Sequence, residues 1–266
     1  MRPLERPARA GAPGSARVKA LVVGNGRVPP RAALPPSVLA GVELVVAADG
    51  GAVRCGELGL RPDLVLGDFD SIDPAALAAI VERGIEVRRV PAAKDESDLE
   101  LALRAALGRG ADTVVVLGAL GGLRIEHELA ALALLALDGG ADLAIADDRS
   151  TIRLLSSPPT MVSAGAGAAG ARLELHGEPG DYVSLLPWGG DAGGVTTEGL
   201  RFPLRDEPLP LGPSRGLSNE IVGTRAAVTC RSGGVLVIHT RRAAVDAPST
   251  GMPELARPGT EVIPDA

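Results

Sequence analysis

Aspartate and glycine residues cluster in short segments that could bind a phosphorylated ligand. These segments are Gly24-Asn25-Gly26, Asp49-Gly50-Gly51, Gly67-Asp68-Phe69-Asp70-Ser71 and the run from Gly118 to Gly122. Glycines let main-chain amides approach a phosphate closely. Asp68 and Asp70 are two residues apart, so on extended backbone both carboxylates point to the same side. Carboxylates without Cys or His partners suit a hard cation, and we expect Mg²⁺ on Asp68, Asp70 and Asp98, with phosphates completing its coordination.

Each of these aspartates also has a purely structural interpretation. A single Asp at a strand-to-helix turn is often only a turn former or a cap. Asp98, in the first turn of its predicted helix, could simply complement the helix dipole, and Asp49 before two glycines could form a tight turn. We favour a functional cluster because all of them fall at one edge of the predicted sheet, where open parallel sheets bind their ligands.

The elements that carry these residues alternate between strands and helices over the first part of the chain. Short apolar runs such as VKALVV, VELVVAA and ADTVVVL each end in Gly or Asp. Between them, Asp73 and Pro74 predict the start of a helix that runs to Arg83, and Ser97 with Glu100 forms a capping box for a helix that ends at Gly108. Apolar strands that alternate with helices predict a parallel sheet with right-handed crossovers.

After about residue 150 the sequence changes character. Segments such as STIRLL, ARLELHGE, YVSLLPWGG, GVTTEGLRFPL, RAAVTCR and GVLVIHT are short and separated by Gly and Pro turns. We therefore expect an α/β domain with a parallel, Rossmann-like sheet at residues 18–149 and an all-β domain, a sandwich or a barrel, at 150–242. Residues 1–17 and 243–266 show no periodicity and are predicted to be disordered tails.

Composition excludes several classes of protein. The chain has 266 residues, a net charge of −6 and 2% aromatic residues, so neither general attraction to nucleic acid nor a base-stacking surface is expected. Its longest apolar run, residues 129–137, is far shorter than the roughly 20 residues of a membrane span. The two cysteines, Cys55 and Cys230, fit neither a zinc site nor a disulfide framework, and we expect a cytoplasmic protein, although a single bridge between them is an alternative.

Several motifs together resemble the thiamine pyrophosphokinase family over about residues 20–240. DGGA at 49–52 and GDFDS at 67–71 are similar to family signatures, as are KDESD at 94–98 and the glycine loop at 118–122 with Arg124 and His127. In the second half, SLLP at 184–187, TTEGL at 196–200 and GLSNE at 216–220 fall where the family has motifs of its β-sandwich. On its own, GLSNE reads more simply as a polar hairpin loop.

The resemblance implies transfer of a diphosphate from ATP to the hydroxyl of thiamine, and a homodimer that binds thiamine between its subunits. It implies catalytic roles for Asp49, Asp68, Asp70 and Asp98, with the general base left open between Asp49 and Asp98. It places ATP on Gly24, Asn25, Gly26, Gly50, Lys94, Gly121, Gly122 and Arg124, and thiamine near Glu126, His127, Ser218 and Asn219. Trp188 is a candidate stacking partner for thiamine by the same analogy.

The substrate loop departs from the family in ways that keep other functions open. Glu126 stands where the family has Asp, Leu123 is an extra residue before Arg124, and Ala131 replaces an Asn. One alternative is a pyrophosphokinase of the same fold that acts on another alcohol, such as a hydroxymethylpterin. Another is a catalytically silent protein that binds thiamine or nucleotide.

Overall fold

The first half of the chain forms a parallel sheet whose strand order changes direction at its centre. The computed structural model describes residues 17–70, 72–137, 140–157 and 170–246. Within these ranges the parallel strands are β1 (Lys19–Val23), β2 (Val42–Ala48), β3 (Leu64–Gly67), β4 (Glu86–Arg89), β5 (Thr113–Leu117) and β6 (Asp142–Ala146). Their order is β4-β3-β2-β1-β5-β6. The order reverses between β1 and β5, and a crevice outside the carboxyl ends of those two strands is the expected place for a ligand.

Helices cover both faces of this sheet. They are α1 (Pro36–Leu39), α2 (Gly51–Glu57), α3 (Pro74–Glu82), α4 (Asp98–Gly108) and α5 (Ile125–Leu134). The α4 and α5 helices pack on one face, where Leu103 and Ala131 are buried, and α2 and α3 pack on the other, around Cys55 and Ile80. The described part of the chain has no helix long and apolar enough to cross a bilayer.

The two predicted helix starts are confirmed by their caps. The Asp73 side chain accepts hydrogen bonds from the amides of Ala75 and Ala76, at 2.9 and 3.2 Å, and fixes the start of α3. Ser97 Oγ accepts one from the amide of Glu100 at 3.1 Å, so α4 begins at Asp98. This cap places Asp98 at the edge of the sheet where β1, β2 and β3 end.

The second half is antiparallel and continues the same sheet. Its strands are β7 (Ser150–Ser157), β8 (Ala171–His176), β9 (Tyr182–Glu198), β10 (Glu207–Leu209), β11 (Asn219–Glu220), β12 (Arg225–Cys230) and β13 (Ser232–Thr240). The β7 strand pairs with β6, then β13 and β9 extend the sheet, and β12 and β8 fold over it to enclose a second core. The architecture is therefore a mixed sheet, parallel in its N-terminal part, that leads into a largely antiparallel β-sandwich.

Several predicted boundaries were wrong. The segment YVSLLPWGG and the first five residues of GVTTEGLRFPL form one strand, β9, which continues through Gly189, Gly190 and Gly194 although they adopt positive φ values of 77°, 151° and 63°. The predicted C-terminal tail begins instead with a short helix, α6 (Arg242–Asp246). Residues 1–16 and 247–266 of the predicted tails lie outside the described residues.

Candidate active site

The carboxylates that follow β2 and β3 converge at the carboxyl edge of the sheet. Asp49, Asp68 and Asp70 each place one carboxylate oxygen within 4.8 Å of the others. Asp49 is 8% exposed, whereas Asp70 is exposed at the rim. The group comes together because Gly67, at the end of β3, has no side chain, and a Cβ there would lie 3.0 Å from that of Asp49. Three carboxylates at this separation repel one another, and the oxygen-only donor set is one that a hard divalent cation fits.

Asp98 lies beside this group and is tied to it through Lys94. The Lys94 Nζ is 3.1 Å from Asp98 Oδ1 and 4.0 Å from Asp68 Oδ2. Burial raises the pKa of Asp98, and the charges of Asp68 and Asp49 add to this effect, whereas Lys94 opposes it. The predicted cation site of Asp68, Asp70 and Asp98 stays a prediction; among the described residues, the carboxylates whose oxygens lie within 4.8 Å of one another are those of Asp49, Asp68 and Asp70.

The glycine loops after β1 and β5 meet at the point where the strand order reverses. The amide of Gly26 donates to the carbonyl of Gly118 at 2.8 Å. A Cβ on Gly24 would lie 2.7 Å from that same carbonyl, and one on Gly50 would lie 2.4 Å from the side chain of Asn25. Side chains larger than glycine would therefore push the two loops apart, so glycine is what allows the loops to meet at the crevice.

A cleft of about 480 Å³ opens between these loops, α4 and the start of α5, within the usual range for small-molecule sites. Its lining includes many of the predicted residues: Gly24, Asn25, Gly26, Asp49, Lys94, Asp98, Gly122, Arg124 and His127. Asp68 and Asp70 lie at its edge through their contacts with Asp49 and Lys94. Gly121, in the same loop as Gly122, has a positive φ of 69°, which fits the turn there.

At the mouth of the cleft Arg124 pairs with Glu126. Arg124 Nε donates to Glu126 Oε1 at 2.6 Å. The pKa of Glu126 is lowered by a main-chain amide and then by Arg124. Both side chains are well exposed, Arg124 by 67%. Solvent weakens such a pair, so either group can exchange it for a ligand at little cost.

Ser218 and Asn219 lie in the sandwich half, outside the lining of this cleft. The Asn219 side chain is 7% exposed, and its amide faces the backbone of Phe202: Nδ2 donates to the Phe202 carbonyl at 2.7 Å and Oδ1 accepts from its amide at 2.9 Å. Ser218 has a positive φ of 58°, and its amide donates to Ser184 Oγ at 3.1 Å. Asn219 thus holds the segment that carries Phe202.

Phe202 is a feature that the sequence prediction missed. The residue is 61% exposed, and the guanidinium of Arg201 lies 5.6 Å from the centroid of its ring. Trp188, the candidate stacking residue, is partly buried against the core of the parallel sheet, and its role in stacking stays a prediction. The signal that could have pointed to Phe202 is that aromatic residues are rare in this sequence, which has only two Phe.

The fold and site together define a two-part α/β and β-sandwich protein with an acidic, glycine-lined cleft of the kind used to transfer phosphate groups. Two family models match the chain: the thiamin pyrophosphokinase catalytic domain at residues 36–145 and the thiamin pyrophosphokinase vitamin B1 binding domain at 172–235. The chain belongs to the thiamin pyrophosphokinase family.

Individual relatives agree with this assignment. A thiamine pyrophosphokinase of Bacillus subtilis is 27% identical over 199 residues, which is 74% of this chain and 87% of that protein. Thiamine pyrophosphokinase 1 of rice, Oryza sativa, is 28% identical over 246 residues, 84% of this chain and 87% of its own length. The crystal structure of the Bacillus subtilis thiamine pyrophosphokinase aligns with a TM-score of 0.69 at 24% identity, covering 84% of this chain and 99% of that one. Thiamin pyrophosphokinase from Candida albicans aligns with a TM-score of 0.65 at 20% identity, covering 84% and 89%, and both structures support the fold.

Proposed function

We propose that this chain transfers the β,γ-diphosphate of ATP to the hydroxyl of thiamine and releases AMP and thiamine diphosphate. The observation that carries the proposal is the convergence of Asp49, Asp68 and Asp70 within 4.8 Å, in the domain that the catalytic family model matches. In the balanced reaction, the thiamine oxygen forms a bond to the β-phosphorus. The bond from that phosphorus to the oxygen bridging to the α-phosphorus breaks, AMP leaves with the bridging oxygen, and the hydroxyl proton is released.

Asp49, Asp68 and Asp70 are the residues we assign to Mg²⁺. All their donors are carboxylate oxygens, which suits this ion, and the exposure of Asp70 leaves one side open to phosphate oxygens. When bound, Mg²⁺ would neutralise charge on the triphosphate and make its phosphorus more electrophilic.

The triphosphate is assigned to the glycine loops and to two cations that line the cleft. The glycines of these loops carry no side chains that would keep a phosphate away from the backbone, while the amides of Gly26 and Gly122 themselves hold the loops in place by donating to the Gly118 carbonyl and to Glu128 Oε1. Lys94, only 13% exposed, is held between Asp68 and Asp98 and presents a fixed positive charge. Arg124 can exchange Glu126 for a phosphate, since their pair is exposed.

Asp98 is the residue we assign to accept the proton of the thiamine hydroxyl. It lines the cleft beside the carboxylate group, and burial raises its pKa. A raised pKa makes a carboxylate a better proton acceptor, provided that it stays ionised at the working pH. Asp49, unlike Asp98, belongs to the group of three carboxylates whose oxygens lie within 4.8 Å of one another, which favours a role for Asp49 as a ligand of the cation.

The thiamine ring is assigned to the surface around Phe202 and Ser218 of a second copy of the chain. Apolar side chains are exposed on this surface, including Phe202, Leu217 and Val222, and others are exposed beside the cleft, including Leu123 and Ile125. Joining the two surfaces in a homodimer would cover both and bring the Phe202 ring to the cleft, where it can stack on thiamine. The two free buried thiols support a reducing, cytoplasmic location.

The experiment that tests this function is a panel of acceptors incubated with purified protein, ATP and Mg²⁺. Thiamine and a hydroxymethylpterin are compared, and AMP formation is measured by chromatography, with Asp70→Asn as the inactive control. AMP formed only with thiamine supports the proposal. AMP formed only with the pterin would move the activity to another alcohol, and ATP binding without AMP from either acceptor would indicate a silent binding protein.

A further inference from the structure

The turn that joins Asp68 to Asp70 has a backbone conformation that is unfavourable for its central residue. Phe69 has a φ of 62°, in the left-handed region that aromatic residues seldom adopt. Such residues persist where surrounding contacts hold them, and they concentrate at functional sites. The direction of both neighbouring carboxylates depends on this turn, because Phe69 lies between them in the chain.

Contacts from the neighbouring edge strand hold the turn in place. Arg89 is the last residue of β4 and lies opposite Gly67 in the parallel pairing. Its Nη1 donates a hydrogen bond to the carbonyl of Asp68 at 2.8 Å, and its guanidinium carbon lies 5.1 Å from the centroid of the Phe69 ring. The amide of Val90 donates to the carbonyl of Gly67 at 3.0 Å. Phe69 is itself buried, with the residues of the core on the α2 and α3 face of the sheet.

We propose that Arg89 is a positioning residue for the divalent-cation site, acting by fixing the Asp68–Phe69 turn so that the carboxylates of Asp68 and Asp70 meet that of Asp49. This inference rests on the proposed function. Arg89 acts through the main chain, since its hydrogen bond goes to a carbonyl oxygen. It therefore differs from Lys94, whose ammonium group pairs with the carboxylates of Asp68 and Asp98 themselves.

The adjacent arginine provides a matched control. Arg88 precedes Arg89 in β4 and points to the other face of the strand, where its Nη2 donates to Glu86 Oε1 at 3.3 Å. Arg88→Ala removes the same charge from the same strand without touching the turn. Arg89→Lys keeps a positive charge and an apolar stem but loses the planar group that lies over the ring.

The test is Mn²⁺ binding to the metal-free protein without nucleotide, measured by electron paramagnetic resonance. We expect Arg89→Ala to bind Mn²⁺ about tenfold more weakly than the wild type, which corresponds to about 1.4 kcal/mol, with Arg89→Lys between the two and Arg88→Ala unchanged. The half-saturating Mg²⁺ concentration for AMP formation should rise in parallel, while the KM for thiamine stays constant. A purely structural role would lower the melting temperature without changing Mn²⁺ affinity in the folded protein.

Equal Mn²⁺ affinity of the wild type and Arg89→Ala would overturn the inference and leave the proposed function standing, as would equal weakening by Arg88→Ala. If Arg89→Ala fails to fold, Arg89→Lys decides the question in the same way. Absence of Mn²⁺ binding by the wild type would instead contradict the cation site itself, and the role of Arg89 with it.

Discussion

Replacing Asp70 by Asn should separate two effects of the three neighbouring carboxylates: their mutual repulsion, which destabilises the fold, and their binding of a cation, which stabilises it. Asp70 lies within 4.8 Å of both Asp49 and Asp68 and is exposed, so the amide replaces the carboxylate without disturbing packing. In the absence of a divalent cation, the substitution removes repulsion from the folded state. In its presence, the same substitution removes a ligand. The variant should therefore be more stable than the wild type without Mg²⁺ and less stable with it.

The size of each effect follows from the distances. Two like charges about 4–5 Å apart in water repel by about 1 kcal/mol, and salt reduces this further for an exposed group, so Asp70→Asn should gain about 1 kcal/mol from its two neighbours. This corresponds to a rise of about 2–4 °C in melting temperature for a chain of this size. A cation at about 100 times its dissociation constant stabilises the wild type by about 2.7 kcal/mol, whereas a site weakened about a hundredfold gains only about 0.4 kcal/mol.

The assay is calorimetric melting of both proteins in EDTA and in Mg²⁺, with Glu82→Gln as a control. Glu82 is an exposed carboxylate near the end of α3, and its loss changes the net charge equally. The order of the wild-type and Asp70→Asn melting temperatures should reverse between the two buffers, and Glu82→Gln should respond to Mg²⁺ as the wild type does. The reasoning would be refuted if Asp70→Asn melted below the wild type in EDTA, or if Mg²⁺ raised its melting temperature as much as it raises that of the wild type.

Three further predictions concern other parts of the structure. Gly51→Ala should abolish activity and destabilise the chain by about 1–3 kcal/mol in denaturant titration, because its Cβ would lie 2.0 Å from the Val23 carbonyl. Gly56 lies in the same helix, and among the described residues a Cβ there would meet no atom within 4 Å, so Gly56→Ala should be neutral or stabilising. Equal destabilisation by Gly51→Ala and Gly56→Ala would contradict this reasoning. Phe202→Ala should raise the KM for thiamine about tenfold or more in steady-state assays and leave the KM for ATP unchanged, since a base–aromatic stack contributes about 1–3 kcal/mol; an unchanged thiamine KM would exclude Phe202 from the site. Asp181→Asn should lower the melting temperature by about 4–10 °C at neutral pH, because Asp181 accepts from the amides of Glu178 and Arg242 and from His239. Burial alone would raise the pKa of Asp181, but these hydrogen bonds lower it below its unfolded value. The stability that Asp181 contributes is therefore fully present above the unfolded pKa and is lost as the pH falls through the folded pKa. Melting curves of the two proteins should therefore converge in acid, and a difference that persists there would contradict the assignment.

The local sequence was sufficient to predict the elements with strong signals. Buried strands such as β1 and β5 are continuous apolar runs, and the starts of α3 and α4 follow from the capping side chains of Asp73 and Ser97. The edge strand β4 was missed because its residues, EVRR, are mostly exposed and carry no apolar pattern. Its position is set by pairing with β3, which is a contact between distant parts of the chain.

The sequence predicted many of the residues in the candidate site, but not how those residues are placed relative to one another. The spacing of Asp68 and Asp70 indicated that their carboxylates share a site. Which third carboxylate lies near them depends on how closely β2 and β3 approach at Gly67, and this close approach brings in Asp49. Substrate binding by Asn219 stays a prediction, and the structure adds that the buried amide of Asn219 bonds the backbone of Phe202. That contact joins residues 17 positions apart and leaves no local signal.

The most direct test of the central claim is the stoichiometry of products from ATP, thiamine and Mg²⁺, followed by ³¹P nuclear magnetic resonance. Transfer of an intact diphosphate predicts AMP and thiamine diphosphate in equal amounts, with no ADP at any time and no product from Asp70→Asn. Formation of ADP with thiamine monophosphate would show attack at the γ-phosphorus, and release of AMP with free pyrophosphate would show water as the acceptor; either result would contradict the proposed transfer.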